Sequence, residues 1–139
     1  MSNELLIIDL RIAAGSQLLI CALNLFLPKI MNWKADMDHM PLLVRQVFVI
    51  HALFISVTLA IFGILTWRFA SDLVLAPSEL GRWFCAAIAA FWGLRTVLQW
   101  TYYSTSHWRG DGPRTLVHWV LFVGYASFTA VYFFAARLM

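Results

Sequence analysis

Arg95 and Gln99 stand four residues apart inside a long apolar stretch, so a helix would carry both side chains on one face. Tyr102 follows seven residues after Arg95 on that face, with Trp92 and Thr96 alongside. A guanidinium keeps its charge, and a charge held in hydrocarbon costs several kcal/mol unless a partner or water meets it. The expected helix ends at Tyr103, which puts Arg95 roughly 12 Å inside it at about 1.5 Å per residue. No acid shares that depth: Glu4, Asp9, Asp72 and Glu79 belong to the opposite end, and Asp36, Asp38 and Asp111 to loops. Arg95 must therefore snorkel, donate to Gln99 and backbone carbonyls, stack on an aromatic ring, or meet an anion from elsewhere. A bound head group would complete the site. A phosphate, a fatty-acid carboxylate, a quinone oxygen or a haem propionate all have the acceptors required.

Two histidines raise a second chemistry. His51 and His118 lie in the second and fourth apolar stretches, and neutral imidazoles from two helices can ligate a haem iron axially. The pair differs in depth by about 7 Å, which one extra turn of the second helix would remove. Haem b is thus a conceivable cofactor, though a histidine in a helix is more commonly a hydrogen-bonded core residue. No HxxxH or ExxH spacing occurs, which argues against a metal-dependent lipid hydroxylase or desaturase. Ser104, Thr105, Ser106 and His107 read as a solvated turn, since no carboxylate is placed to complete a nucleophile. No catalytic motif emerges, and a non-enzymatic role is expected.

The remaining polar residues are also striped. Gln17, Cys21 and Asn24 share a face with Ala14, and His118, Tyr125, Thr129 and Tyr132 form another stripe. In the second stretch Arg45, Ala52, Ser56 and Gly63 share one face, with His51 and Thr58 about 120° away at 100° per residue. Asn24, Arg45, His51, Arg95, Gln99 and His118 all fall in the half of their helices nearer the same end. If the stripes face inward, they converge on one polar pocket. The competing reading is that they glue helices together, as interhelical hydrogen bonds worth about 0.6 kcal/mol commonly do. That is the expected role of Gln17, Asn24, Ser56, Thr58, Thr96 and Thr129, while Arg45 is expected to anchor an interface.

The elements that must position these residues are plain. Residues 5–27, 42–69, 80–103 and 115–136 are each long and apolar enough to cross a hydrocarbon layer of about 30 Å. Hydrophobic residues make up 62% of the 139 and charged residues 12%, which is wrong for a water-exposed surface. Helices satisfy their own backbone in lipid, and short connections favour antiparallel neighbours. The expected architecture is a single-domain (residues 1–139), all-α, up-down-up-down four-helix bundle in a membrane. Ser78 is the expected N-cap of the third helix with Glu79 in its first turn, and Pro41 suits the first position of the second.

Call the face holding both termini side A, and the other side B. Trp67 and Trp83 mark side A, while Trp33, Trp100, Trp108 and Trp119 mark side B, as an aromatic belt requires. Residues 29–40 read as an interfacial segment. The positive-inside rule weakly favours side B in the cytoplasm and both termini outside, and a bacterial inner membrane is the expected location. The first helix opens with Glu4 and Asp9 and reaches Arg11 only later, so it reads as a retained span rather than a secretory signal. Cys21 and Cys85 differ in depth by roughly 12 Å, too far for a disulfide. Basic residues are scattered, which points away from nucleic acid.

Three readings follow. The first is a pocket for a lipophilic ligand (lipid, fatty acid or quinone), with Arg95 and Gln99 on its head group. His118, His51 and Asn24 would be its hydrogen-bonding neighbours, and Tyr102 and Trp92 its walls. The second is a non-catalytic subunit of a larger membrane complex or a homo-oligomer, docking through Gly124 with Ser127 and Gly63 with Ser56. The third is a b-type haem electron-transfer subunit using His51 and His118.

Overall fold

The computed structural model describes residues 2–30, 37–102 and 112–138, excluding the side chains of 27–30, 112–114 and 117. The expectations for residues 31–36, Trp33 and Asp36 among them, and for Tyr103, Ser104, Thr105, Ser106, His107, Trp108 and Asp111, lie outside these residues. The chain is all-α, with four long helices: α1 (Asn3–Ile30), α2 (Leu42–Leu75), α3 (Glu79–Thr101) and α4 (Gly112–Leu138). No strand occurs among the described residues, as a four-helix bundle requires.

Each helix but α3 outruns its apolar stretch. Hydropathy marks what must leave water, whereas a helix continues until something interrupts its hydrogen bonds. For α2 that interruption comes at Ala76-Pro77, so the helix passes through Arg68 and Asp72 and ends at Leu75 rather than Phe69. Its 34 residues extend about 51 Å, well beyond the hydrocarbon thickness. The start of α2 is displaced by one position. The Pro41 carbonyl accepts from the Arg45 amide, which makes Pro41 the cap and Leu42 the first helical residue. Ser78 is the N-cap of α3, in extended backbone, its hydroxyl accepting from the Gly81 amide at 3.1 Å. At the far end α3 closes at Thr101, with Tyr102 as C-cap. Arg95 is therefore about 9 Å from the end of its helix, less deep than the sequence suggested.

The chain forms two compact units. One holds residues 11–69, the greater part of α1 and α2. These helices run antiparallel, since a Cβ on Gly63 would fall against Leu18 and one on Gly15 against Trp67. Gly63 allows the closest approach: its missing Cβ would lie 2.8 Å from Leu18 Cγ and 3.0 Å from the Ala14 carbonyl oxygen. Around this contact Ala14, Gln17, Ser56, Leu59 and Thr66 are buried.

The other unit holds residues 1–10 and 70–139. It comprises the first turns of α1, the last of α2, and α3 and α4. Its buried apolar residues include Leu6, Leu10, Ala70, Cys85, Ile88, Trp92, Tyr132 and Ala135. Helices α3 and α4 pack directly on one another, antiparallel, with Trp100 near the end of one against Trp119 near the start of the other. Buried positions recur at alternating spacings of three and four along α2, at 56, 59, 63, 66, 70 and 73, the spacing of knobs into holes. Cys21 is half-buried and Cys85 buried, both as free thiols.

Among the described residues three helical stretches are long and apolar enough to cross a membrane: Asn3–Phe26 of α1, Leu42–Leu75 (α2) and His118–Leu138 of α4. Helix α3 is the exception, because Arg82, Arg95 and Gln99 lower its hydropathy. Most of the apolar side chains on the three spans stay uncovered by protein, among them Ile12, Leu23, Leu43, Phe54, Val120 and Val123. Such a surface is stable against lipid and unstable against water. The class defined is thus an all-α protein with three helices suited to a membrane and a fourth of lower hydropathy.

Candidate functional site

The least apolar helix meets α4 through a polar pair. Gln99 is 4% exposed and His118 is 7% exposed, and the Gln99 amide nitrogen lies 3.1 Å from His118 Nδ1. Antiparallel packing brings them together across nineteen residues of sequence. With Nδ1 as the acceptor, the imidazole proton sits on Nε2. The other amide atom, Gln99 Oε1, is buried without a hydrogen-bond partner among the described residues. An unmet buried carbonyl of this kind costs about 1–3 kcal/mol.

One turn deeper, the Arg95 guanidinium stacks 4.9 Å from the centre of the Tyr125 ring. Tyr125 also stacks on Trp92, with centroids 5.1 Å apart and planes 22° apart, and Trp92 leans on Phe128 at 4.8 Å. Arg95 thus takes the aromatic option among those open to it, and a ring face is worth about 2 kcal/mol to a desolvated cation. It is half-buried, which leaves room for further contacts of its planar donor fork. Towards the end of the pair, Trp100, Trp119 and Phe122 form a ring cluster with centroids 5.5–6.0 Å apart, and His118 meets the Trp119 edge at 5.9 Å.

Four of the anticipated site residues therefore come together on α3 and α4: Trp92, Arg95, Gln99 and His118. The other three are Tyr102, His51 and Asn24. Tyr102 is 80% exposed at the C-cap of α3, its amide donating to the Leu98 carbonyl. His51 is exposed on α2 rather than buried, its Nδ1 3.0 Å from the Val47 carbonyl oxygen. Asn24 is half-buried on α1. Both belong to the unit of residues 11–69, whereas the pair and its aromatic support belong to the other.

Several polar residues bond the backbone of their own helix. Gln17, Ser56, Thr58, Thr96, Ser127 and Thr129 each donate to the carbonyl four residues earlier. Gly63, expected on an outward docking face, is instead filled by Leu18. Gly124 remains open, with nothing within 4 Å of a Cβ placed there. Asp38 pairs with Arg45 at 3.0 Å on the surface. Tyr125 is the site residue sequence reasoning undervalued: it was visible in the α4 stripe, but its pairing with Arg95 depends on the register of the two helices. Thr66, fully buried in α2, continues the Ser56–Leu59–Gly63 spacing.

No protein-family model, curated protein or solved structure matches this chain.

Proposed function

We propose that this is a non-enzymatic membrane protein that binds the head group of a lipophilic ligand beside Arg95, Gln99 and His118. The ligand is a lipid, fatty acid or quinone-type molecule with an anionic or carbonyl head, in a membrane we take to be a bacterial inner membrane. The observation carrying this reading is the buried Gln99 Oε1 with no hydrogen-bond partner, next to a histidine and one turn from a guanidinium. Buried polar atoms are nearly always satisfied, and a guest group supplies what the helices do not. A glutamine amide has a donor on one side and an acceptor on the other. Committing one side to His118 leaves the other to the guest. As oriented, the amide offers an acceptor to a ligand O–H. Turned over against the Nδ1–H tautomer of His118, it offers an NH2 to a ligand carbonyl. Arg95 then donates to the oxygen of the same head group.

Native mass spectrometry of the detergent-purified chain tests the reading, since it weighs any retained lipid, quinone or haem directly. A bound lipophilic species is expected in the wild type. Arg95→Leu should release it while helix content by circular dichroism stays the same. Equal retention by Arg95→Leu would remove the ligand role from this residue. A second reading, a non-catalytic subunit of a larger membrane complex, is favoured by the open Gly124 face with Ser127 exposed beside it. Obligate co-purification of another subunit would support it.

A further inference from the structure

At the opposite end of the α3–α4 pair from Gln99 lies an apolar groove of about 530 Å³ whose mouth carries Arg82, Trp83 and Arg137. Its floor is small, formed by Ala86, Ala89, Ala90 and Ala136. Thr129 and Phe133 are shared with a second hollow of about 460 Å³, which continues past Gly93, Ala126 and Ala130 to Val97. The two make one channel along the outside of the helix pair. From Arg82 to Val97 it covers fifteen residues of α3, roughly 22 Å at 1.5 Å each. One leaflet of hydrocarbon is about 15 Å deep, half the bilayer core.

We infer that this channel holds one anionic phospholipid, its phosphate on Arg82 and Arg137 and one acyl chain lying along the alanine floor. The inference rests on the membrane reading of the fold and is independent of the Gln99 site. Charge complementarity selects the occupant. Arg82 and Arg137 are both exposed at the mouth, neither is ion-paired among the described residues, and Arg137 is held 5.1 Å over the Phe133 ring. An apolar helix from another protein would bury two guanidiniums without acceptors, whereas a phosphate supplies several. Trp83, exposed beside Arg82, is the type of residue that settles at head-group level. Alanines at 86 and 90 and glycine at 93 keep the trough open, where leucines would fill it.

The test uses the full chain in detergent, offered equal amounts of phosphatidylglycerol and phosphatidylcholine with identical acyl chains, and read by native mass spectrometry. One bound phosphatidylglycerol is expected, preferred about thirtyfold, each basic residue at a membrane surface contributing about fivefold. The double substitution Arg82→Gln with Arg137→Gln should bring the two lipids close to parity. Ala90→Leu should lower retention of both. The lysine pair, Arg82→Lys with Arg137→Lys, should keep most of the preference, because the charge remains. If the glutamine pair fails to fold, salt titration of the wild type reads the same quantity, and the preference must fall as salt screens it. Equal binding of the two lipids by the wild type, or a preference indifferent both to the glutamine pair and to salt, would overturn the assignment. So would a dimer that Ala90→Leu dissociates, since a second copy would then occupy the channel.

Discussion

Replacing Gln99 by Leu separates a ligand site from a structural polar network, because the two predict different losses. The substitution removes one hydrogen bond to His118, worth about 0.6 kcal/mol between membrane helices. It also removes the unmet Oε1 and leaves His118 Nδ1 unmet in its place, so one buried penalty of about 1–3 kcal/mol is exchanged for another. The ligand-free protein should therefore lose only about 0.6 kcal/mol. Loaded protein should lose the guest contact as well, about tenfold in retention for one buried hydrogen bond to the head group. The double variant Gln99→Leu with His118→Phe removes both polar groups together and should leave the bundle within about 0.5 kcal/mol of wild type, or above it. Unfolding free energies from denaturant titration of delipidated protein in mixed micelles measure the first and third quantities. Native mass spectrometry measures the second. If Gln99→Leu costs the ligand-free protein more than about 2 kcal/mol and leaves retained lipid unchanged, Oε1 is met by the protein itself and the proposed site is refuted.

Other expectations come from packing. Gly63→Ala should destabilise by about 1–3 kcal/mol, because its Cβ would sit 2.8 Å from Leu18 Cγ and 3.0 Å from the Ala14 carbonyl. Gly124→Ala meets nothing within 4 Å and should instead stabilise, by up to about 1 kcal/mol of helix propensity. Micelle unfolding of the two variants side by side checks the contrast. Trp92→Ala removes the rings stacked on Tyr125 and Phe128 and should cost about 3 kcal/mol, with a lower melting temperature by tryptophan fluorescence. Asp38→Asn breaks an exposed ion pair with Arg45 and should shift the same melt by less than about 1 kcal/mol.

The amino-acid sequence by itself determined the class of this protein and the periodic faces of its helices. Runs of apolar residues this long can satisfy their backbone in only one way away from water, so α1, α2 and α4 were readable from composition and length. The cap at Ser78 was equally local: a hydroxyl three residues before the Gly81 amide needs no tertiary information. Inward stripes could be drawn too, since Gln17 and Tyr132 repeat with the helical period and are buried.

Which stripes meet was decided only by the tertiary structure. Gln99 finds His118, and Arg95 finds Tyr125, because α3 and α4 run antiparallel in one particular register. A helix period specifies direction from an axis but not depth against a neighbour. For the same reason His51, polar and well placed on paper, is exposed, while Gly63 turned out to be a contact point for Leu18 rather than a docking face. Tyr102, at the C-cap, keeps a helical backbone and still leaves its side chain exposed, which spacing along one helix does not reveal. Side-chain type and spacing are properties of one segment, whereas a site is made by the packing of two.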